Sequence, residues 1–161
     1  METIKLTRIG KGMSGHVYRD EKGRHYTDMC HNLDDTPDFF ALSPWDDPDG
    51  EPAYRIDRQV EITNPPTERD IREDNLKFEY MMLSRYADDC AAYFGKHGDP
   101  EKDKWDCRYH NDVTIPDIAG DVKETRRRYE QFPDDLKPEW LTIEQIEKWE
   151  KLLEERINNK Q

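Results

Sequence analysis

Three glycines near the N-terminus have the spacing that most plainly promises chemistry. Gly10-Lys11-Gly12-Met13-Ser14-Gly15-His16-Val17 fits G-x-G-x-x-G-x-V, the pattern of a glycine-rich loop that covers nucleotide phosphates. Such a loop works only with a lysine on the following strand, a catalytic Asp and Asn, and a metal-binding Asp before Phe-Gly. Those partners do not follow here: Arg24 to Asp28 carries no suitable lysine, and Asp38-Phe39 is followed by Phe40. A dinucleotide site would need the glycines to open a helix, whereas His16-Val17-Tyr18 leads into an extended segment. The expectation is a turn between strands.

Thiols and imidazoles offer the next candidates. Cys107 and His110 are spaced C-x-x-H, and with Cys30, His31 or His25 they would make a ligand set soft enough for zinc. Against this, a zinc ribbon shows two compact ligand pairs, and the adjacent Cys30 and His31 would diverge on a strand. The remaining histidines, His16 and His97, stand apart from any nucleophile, and no G-x-S-x-G is present. No catalytic residues are assigned, no cofactor is expected, and the chain is read as a non-enzyme.

The most unusual local feature is electrostatic. Between Arg24 and Arg55 there is no Lys or Arg, while Asp28, Asp34, Asp35, Asp38, Asp46, Asp47, Asp49 and Glu51 all fall there, interleaved with Phe39, Phe40 and Trp45. Aligning Gly50 with the invariant glycine of a calcium-binding helix-loop-helix puts Trp45 and Ile56 where carboxylates are needed, which leaves only an irregular cation site open. Two readings compete. The aromatic residues pack inward as sheet core with the acids outward, or Trp45 anchors a docking surface that the acids steer onto a basic groove. On the second reading the partner-binding residues are Asp34, Asp35, Asp38, Trp45, Asp46, Asp47, Asp49 and Glu51.

Composition bounds the partners. The formal net charge is -12 over 161 residues, which disfavours direct contact with nucleic-acid phosphates, since each such contact needs a Lys or Arg. Basic proteins remain natural partners for such a surface. Three cysteines without paired spacing and no N-terminal apolar run argue for reduced thiols and a cytoplasmic location. No apolar stretch approaches the roughly 20 residues of a membrane span.

The elements that must position these residues divide in two at Thr63-Asn64-Pro65-Pro66. Before it, residues 2 to 9 alternate as a strand, Val17 to Asp28 form a hairpin turning at Asp20-Glu21-Lys22-Gly23 with Tyr18 and Tyr26 matched on its arms, and Phe39 to Ser43 and Arg55 to Ile62 make further strands. After it come three helices. The first starts at a Thr67/Asp70 variant of the capping box and runs to Gly95 with Ile71, Phe78, Met82, Tyr86, Cys90 and Tyr93 on one side. The second runs from Thr114 and Asp117 to Pro133, with Ile115, Ile118, Val122, Tyr129 and Phe132 apolar. The third has Thr142 and Gln145 as a capping box, Leu141 and Ile146 as a hydrophobic staple, and Ile146, Trp149, Leu153 and Ile157 as its inner face. A polar connector over residues 95 to 112 carries Trp105. The expected fold class is α+β: a small antiparallel sheet in residues 1 to 62, then a three-helix region in residues 67 to 161.

The helical half resembles a known family. Asp89-Cys90 with Tyr93-Phe94-Gly95, Trp105, and the run Phe132-Pro133-Asp134-Asp135-Leu136-Lys137-Pro138-Glu139-Trp140-Leu141-Thr142, continuing through Glu144, Gln145, Ile146 and Glu150, are similar to a small helical domain associated with large polyvalent proteins of phages and conjugative elements. The resemblance spans about residues 76 to 153; Asp49-Gly50-Glu51-Pro52 and Asn64-Pro65-Pro66-Thr67-Glu68-Arg69 resemble its flanks less closely. It implies a mobile-element setting and brings no catalytic or ligand residues. In the run itself, Trp140 reads as an aromatic anchor between a helix stop and a capped helix. Combined with the charge, the leading expectation is an acidic inhibitor that occupies the basic surface of a nucleic-acid-binding defence protein, such as a CRISPR effector nuclease. The alternatives are an accessory module docking on a larger replication or transfer protein, and a metal-dependent enzyme or zinc-stabilised domain.

Overall fold

The computed structural model describes residues 2–30, 32–95 and 114–159. The chain forms two compact units, Met1–Asn75 and Leu76–Gln161.

The N-terminal unit is a six-stranded sheet closed by one short helix. Its strands are β1 (Ile4–Gly12), β2 (Gly15–Arg19), β3 (His25–Asp28), β4 (Phe39–Ser43), β5 (Glu51–Arg55) and β6 (Val60–Ile62), in the order β5-β4-β3-β2-β1-β6. Neighbours from β1 to β5 pair antiparallel, but β6 runs parallel to β1, with Ile4 opposite Val60 and Leu6 opposite Ile62. The sheet is therefore mixed, not antiparallel. The strand expected over Arg55 to Ile62 covers only the last residue of β5, then residues 56 to 59, which carry the chain across to the opposite edge, and β6. Ile56 turns into the core, its N–H bonding the Phe39 carbonyl at 2.8 Å, and Ile4 N–H meets the Gln59 carbonyl at 2.9 Å.

Strand alternation explains the core of this unit. Leu6, Tyr18, Tyr26, Phe39 and Ala41 share one face and are buried together, with Ile4, Ile56, Val60 and Ile62 packed around them. Tyr18 lies directly opposite Tyr26, and its ring meets Phe39 edge to face at 4.9 Å. Burying each such ring contributes about 1.5–3 kcal/mol. Of the three aromatics in the acidic tract, Phe39 is in the core, Phe40 is half-buried and Trp45 is exposed.

The helix expected to run from Thr67 to Gly95 is instead α1 (Glu68–Asn75) and α2 (Lys77–Phe94), interrupted at Leu76. With α3 (Ile115–Gln131) and α4 (Ile143–Asn159) the described residues hold four α-helices where three were expected. The interruption follows Asp74 and Asn75, two residue types of low intrinsic helix propensity. The capping box of α1 forms as expected, with Asp70 N–H donating to Thr67 Oγ1 at 3.1 Å and Thr67 N–H to Asp70 Oδ2 at 2.9 Å.

In the C-terminal unit the caps also form where the sequence placed them. Thr114 Oγ1 accepts from Asp117 N–H, Thr142 Oγ1 accepts from Gln145 N–H, and Gly95 ends α2 at φ 89°, a conformation that favours glycine. Leu83, Cys90, Ile118, Val122, Tyr129, Phe132, Leu141, Ile146 and Trp149 make one core, and Trp149 Nε1 donates to the Gly95 carbonyl at 3.1 Å. Two expectations fail here. Phe78 and Ile157 point to solvent, since Leu83 and Ala87 supply the inward stripe of α2 and α4 leaves the core after Leu153. Trp140 is 49% exposed; Leu136 and Leu141, both 2% exposed, anchor the crossing instead.

Candidate functional site

The glycine motif is a β-hairpin whose tip is Met13-Ser14. Gly12 is required by close approach: a Cβ there would stand 2.7 Å from the Pro48 carbonyl oxygen and 3.2 Å from Asp49 Oδ1. Gly15, at φ +136°, has the Asp28 carbonyl oxygen 2.9 Å from where its Cβ would be. Backbone and carboxylate oxygens thus crowd both glycines at the distances where a side chain would begin. The spacing that suggested a nucleotide loop serves instead to let the acidic β4–β5 turn pack against the hairpin.

Behind that hairpin lies a buried polar cluster that sequence reading missed. His16 Nε2 lies 2.8 Å from Asp74 Oδ1, Asp74 Oδ2 accepts the Leu33 N–H at 2.8 Å, and Lys11 Nζ is 3.8 Å from Asp74 Oδ1. Asp28, directly opposite His16 in the β2–β3 register, accepts from Cys30 N–H, Cys30 Sγ and Asp38 N–H at 2.9 to 3.0 Å. Burial, followed by the hydrogen bond to Asp28, pushes the Cys30 thiol up to about 12. Tyr18 is pushed up to about 12 by burial and then by the charge of Asp28. A thiol that keeps its proton and donates it to a carboxylate is a poor nucleophile and a poor metal ligand. Asp74 could not have been found from periodicity, because a lone acid in a helix is normally solvated.

The zinc expectation divides accordingly. Cys30 is engaged by Asp28, and His25 Nδ1 sits 2.9 Å from the Trp45 carbonyl oxygen. His31, Cys107 and His110 lie outside the described residues, as do His97 and Trp105. Among the described residues no group of His, Cys, Asp or Glu is placed to hold a metal ion, the acidic tract included.

The eight acidic-tract residues are not one patch. β4 separates them: Asp34, Asp35 and Asp38 precede it in the β3–β4 loop, while Trp45, Asp46, Asp47 and Asp49 follow it in the β4–β5 turn, with Glu51 opening β5. The two groups therefore sit at opposite ends of a five-residue strand. Asp38 is paired with Arg55 at 2.8 Å. The turn is held by its own hydrogen bonds, with Asp47 N–H to the Pro44 carbonyl, Gly50 N–H to the Asp47 carbonyl and Asp49 N–H to the Asp47 side-chain Oδ1. Trp45 is 45% exposed and carries the Arg24 guanidinium 5.2 Å from its ring centroid, a cation–π contact.

Asp20 organises the neighbouring β2–β3 turn. It accepts from the Lys22 and Arg24 N–H groups, from Arg24 Nε at 2.7 Å and from the Tyr26 hydroxyl. Burial alone would raise its pKa; these hydrogen bonds, the Arg24 pair foremost, outweigh burial and hold it below the usual carboxylate value.

The fold and these sites define an α+β protein whose buried polar clusters around Asp74, Asp28 and Asp20 are spent on internal hydrogen bonds. No helix among the described residues is long and apolar enough to cross a membrane. Residues 76–153, in the C-terminal half, match the family model of large polyvalent protein-associated domain 11. The match opens at Leu76, the first residue of the C-terminal unit, and closes inside α4. No curated protein and no solved structure matches the chain.

Proposed function

We propose that the chain is a non-enzymatic accessory module of a mobile genetic element, whose helical unit docks on a larger replication or transfer protein. The observation that carries this reading is on α2, the helix with which the matched domain opens. Phe78 and Met81, three residues apart and hence neighbours on one helix face, are 57% and 50% exposed. Large side chains left in water at that spacing favour an apolar partner surface. The motifs that could have argued for chemistry are spent otherwise: the glycines on packing, Cys30 on Asp28, His16 on Asp74.

The test is a pull-down with the full chain, eluted by stepwise salt. Capture of a replication or transfer protein that resists salt and is lost in the Phe78→Ser/Met81→Ser double variant supports the module. A partner that leaves at moderate salt, or that binds the double variant equally, defeats it.

One observation favours a second reading, the acidic inhibitor. Trp45 stands exposed on a rigid turn with Asp46, Asp47 and Asp49, an aromatic anchor within a negative rim. Only this half of the tract would engage the basic groove of a nucleic-acid-binding protein such as a CRISPR effector nuclease. Replacing Trp45, Asp46, Asp47 and Asp49 then abolishes binding with helical circular dichroism unchanged; unaltered binding rejects the inhibitor.

A further inference from the structure

A cleft of about 310 Å³ lies between the start of β1 and the β2–β3 turn, with the β5–β6 connection as its third wall. Its cations are Lys5, Lys22, Arg24 and Arg58. That is unexpected in a chain of net charge -12. Elsewhere in the N-terminal unit Arg8, Lys11, Arg55 and Arg69 are each paired with a carboxylate. In the cleft only Arg24 is, and its partner Asp20 is saturated by four hydrogen bonds. Lys5, Lys22 and Arg58 have no side-chain hydrogen-bond or ion-pair partner among the described residues, although Glu2 and Glu21 also line the cleft. Arg19, likewise without a partner among the described residues, stands opposite Thr7 on the same face of the β1–β2 ladder as Lys5.

The walls are preorganised. Ile4 N–H to the Gln59 carbonyl at 2.9 Å locks the Lys5 and Arg58 segments together, and Asp20 N–H to the Arg24 carbonyl at 3.0 Å closes the turn that presents Lys22. Four cations face three carboxylates, Glu2, Asp20 and Glu21, across the cleft, and with Asp20 taken up by Arg24 the three remaining cations outnumber Glu2 and Glu21, a positive excess that a compact anion can neutralise. Trp45 and its acidic turn adjoin the cleft through the Arg24 contact, so a long phosphodiester chain leaving it meets carboxylates. A compact anion does not.

We propose that this cleft is an anion site for a small phosphate-bearing molecule, held by Lys5, Lys22 and Arg58. Arg24 is a positioning residue that fixes the turn.

The experiment is isothermal titration of the full chain with inorganic triphosphate at low ionic strength, beside a single-stranded oligonucleotide carrying the same phosphate concentration. The expected result is saturable triphosphate binding that weakens at least tenfold in Lys5→Gln/Lys22→Gln/Arg58→Gln and is unchanged in the control Arg69→Gln. All of these side chains are exposed, so circular dichroism of every variant should match the parent. Absence of saturable binding, equal affinity in the triple variant, or tighter binding of the oligonucleotide overturns the proposal.

Discussion

His16 and Asp74, 58 residues apart in sequence, meet at 2.8 Å with both side chains buried, and they join the glycine hairpin to the last turn of α1. Asp74 also caps the Leu33 N–H, so one carboxylate holds a strand, a loop and a helix. Asp74→Ala leaves a buried N–H and an imidazole without their acceptor. The expected cost is about 3 kcal/mol, since an orphaned buried donor loses its full desolvation penalty and a charged acceptor raises it. Urea denaturation read by near-UV circular dichroism checks this; a loss below about 1 kcal/mol would mean that water replaces the carboxylate.

Glycines with opposite roles give opposite outcomes. Gly12→Ala forces a methyl group to within 2.7 Å of the Pro48 carbonyl and 2.8 Å of Val17, and is expected to destabilise by about 1–3 kcal/mol while displacing the Trp45 turn. Gly120, inside α3, has open space for a side chain, with nothing within 4 Å of where a Cβ would stand. Gly120→Ala should stabilise by about 0.5–1 kcal/mol through backbone entropy. Denaturation midpoints decide both, and amide chemical shifts of residues 44 to 50 report the displacement.

Thiol chemistry is a third check. With its pKa pushed up to about 12 by burial and Asp28, Cys30 should alkylate roughly a hundredfold more slowly at pH 8 than an ordinary exposed thiol, a low thiolate fraction partly offset by higher nucleophilicity. Asp28→Asn removes the charge that opposes the thiolate, and alkylation should then accelerate. Peptide mapping by mass spectrometry gives the site-specific rates; fast labelling of Cys30 in the parent contradicts the buried hydrogen bond.

Two carboxylates make stability depend on pH with opposite sign. Asp20 has a lowered folded pKa, so its contribution is present above the unfolded value near 3.8 and is lost as pH falls through the folded one. Asp121 is raised, by burial and then by Asp89 and Asp117, so its contribution is present below the unfolded value and disappears as pH rises through the folded one. Asp121→Asn should therefore raise the thermal midpoint at pH 7, with the gain vanishing near pH ~3. A gain that persists in acid would point to packing, not ionisation.

Local rules carried much of the fold. The Thr67, Thr114 and Thr142 caps, the Gly95 terminus, the Tyr18–Tyr26 pairing and the β4 limits all follow from side chains acting on backbone within a few residues, and they form as read. The run from Phe132 to Thr142 was legible in the same way, and its family resemblance is shown by the match over residues 76–153. Trp140 misled because amphipathic order in a turn does not say which of two adjacent large residues faces inward.

The sequence by itself determined the α+β division, the capped helix ends at Thr67, Gly95, Thr114 and Thr142 and the acidic balance, but not the break at Leu76, because propensity, capping and charge are local or additive quantities. Tertiary structure alone decided three things. It sent β6 to the far edge of the sheet beside β1, it brought His16 to Asp74, and it gathered Lys5, Lys22 and Arg58 in one cleft. Each depends on which distant segments pack together, and that is set by the shared burial of Leu6, Tyr18, Tyr26, Phe39 and Ile56, not by any interaction among neighbours in the chain.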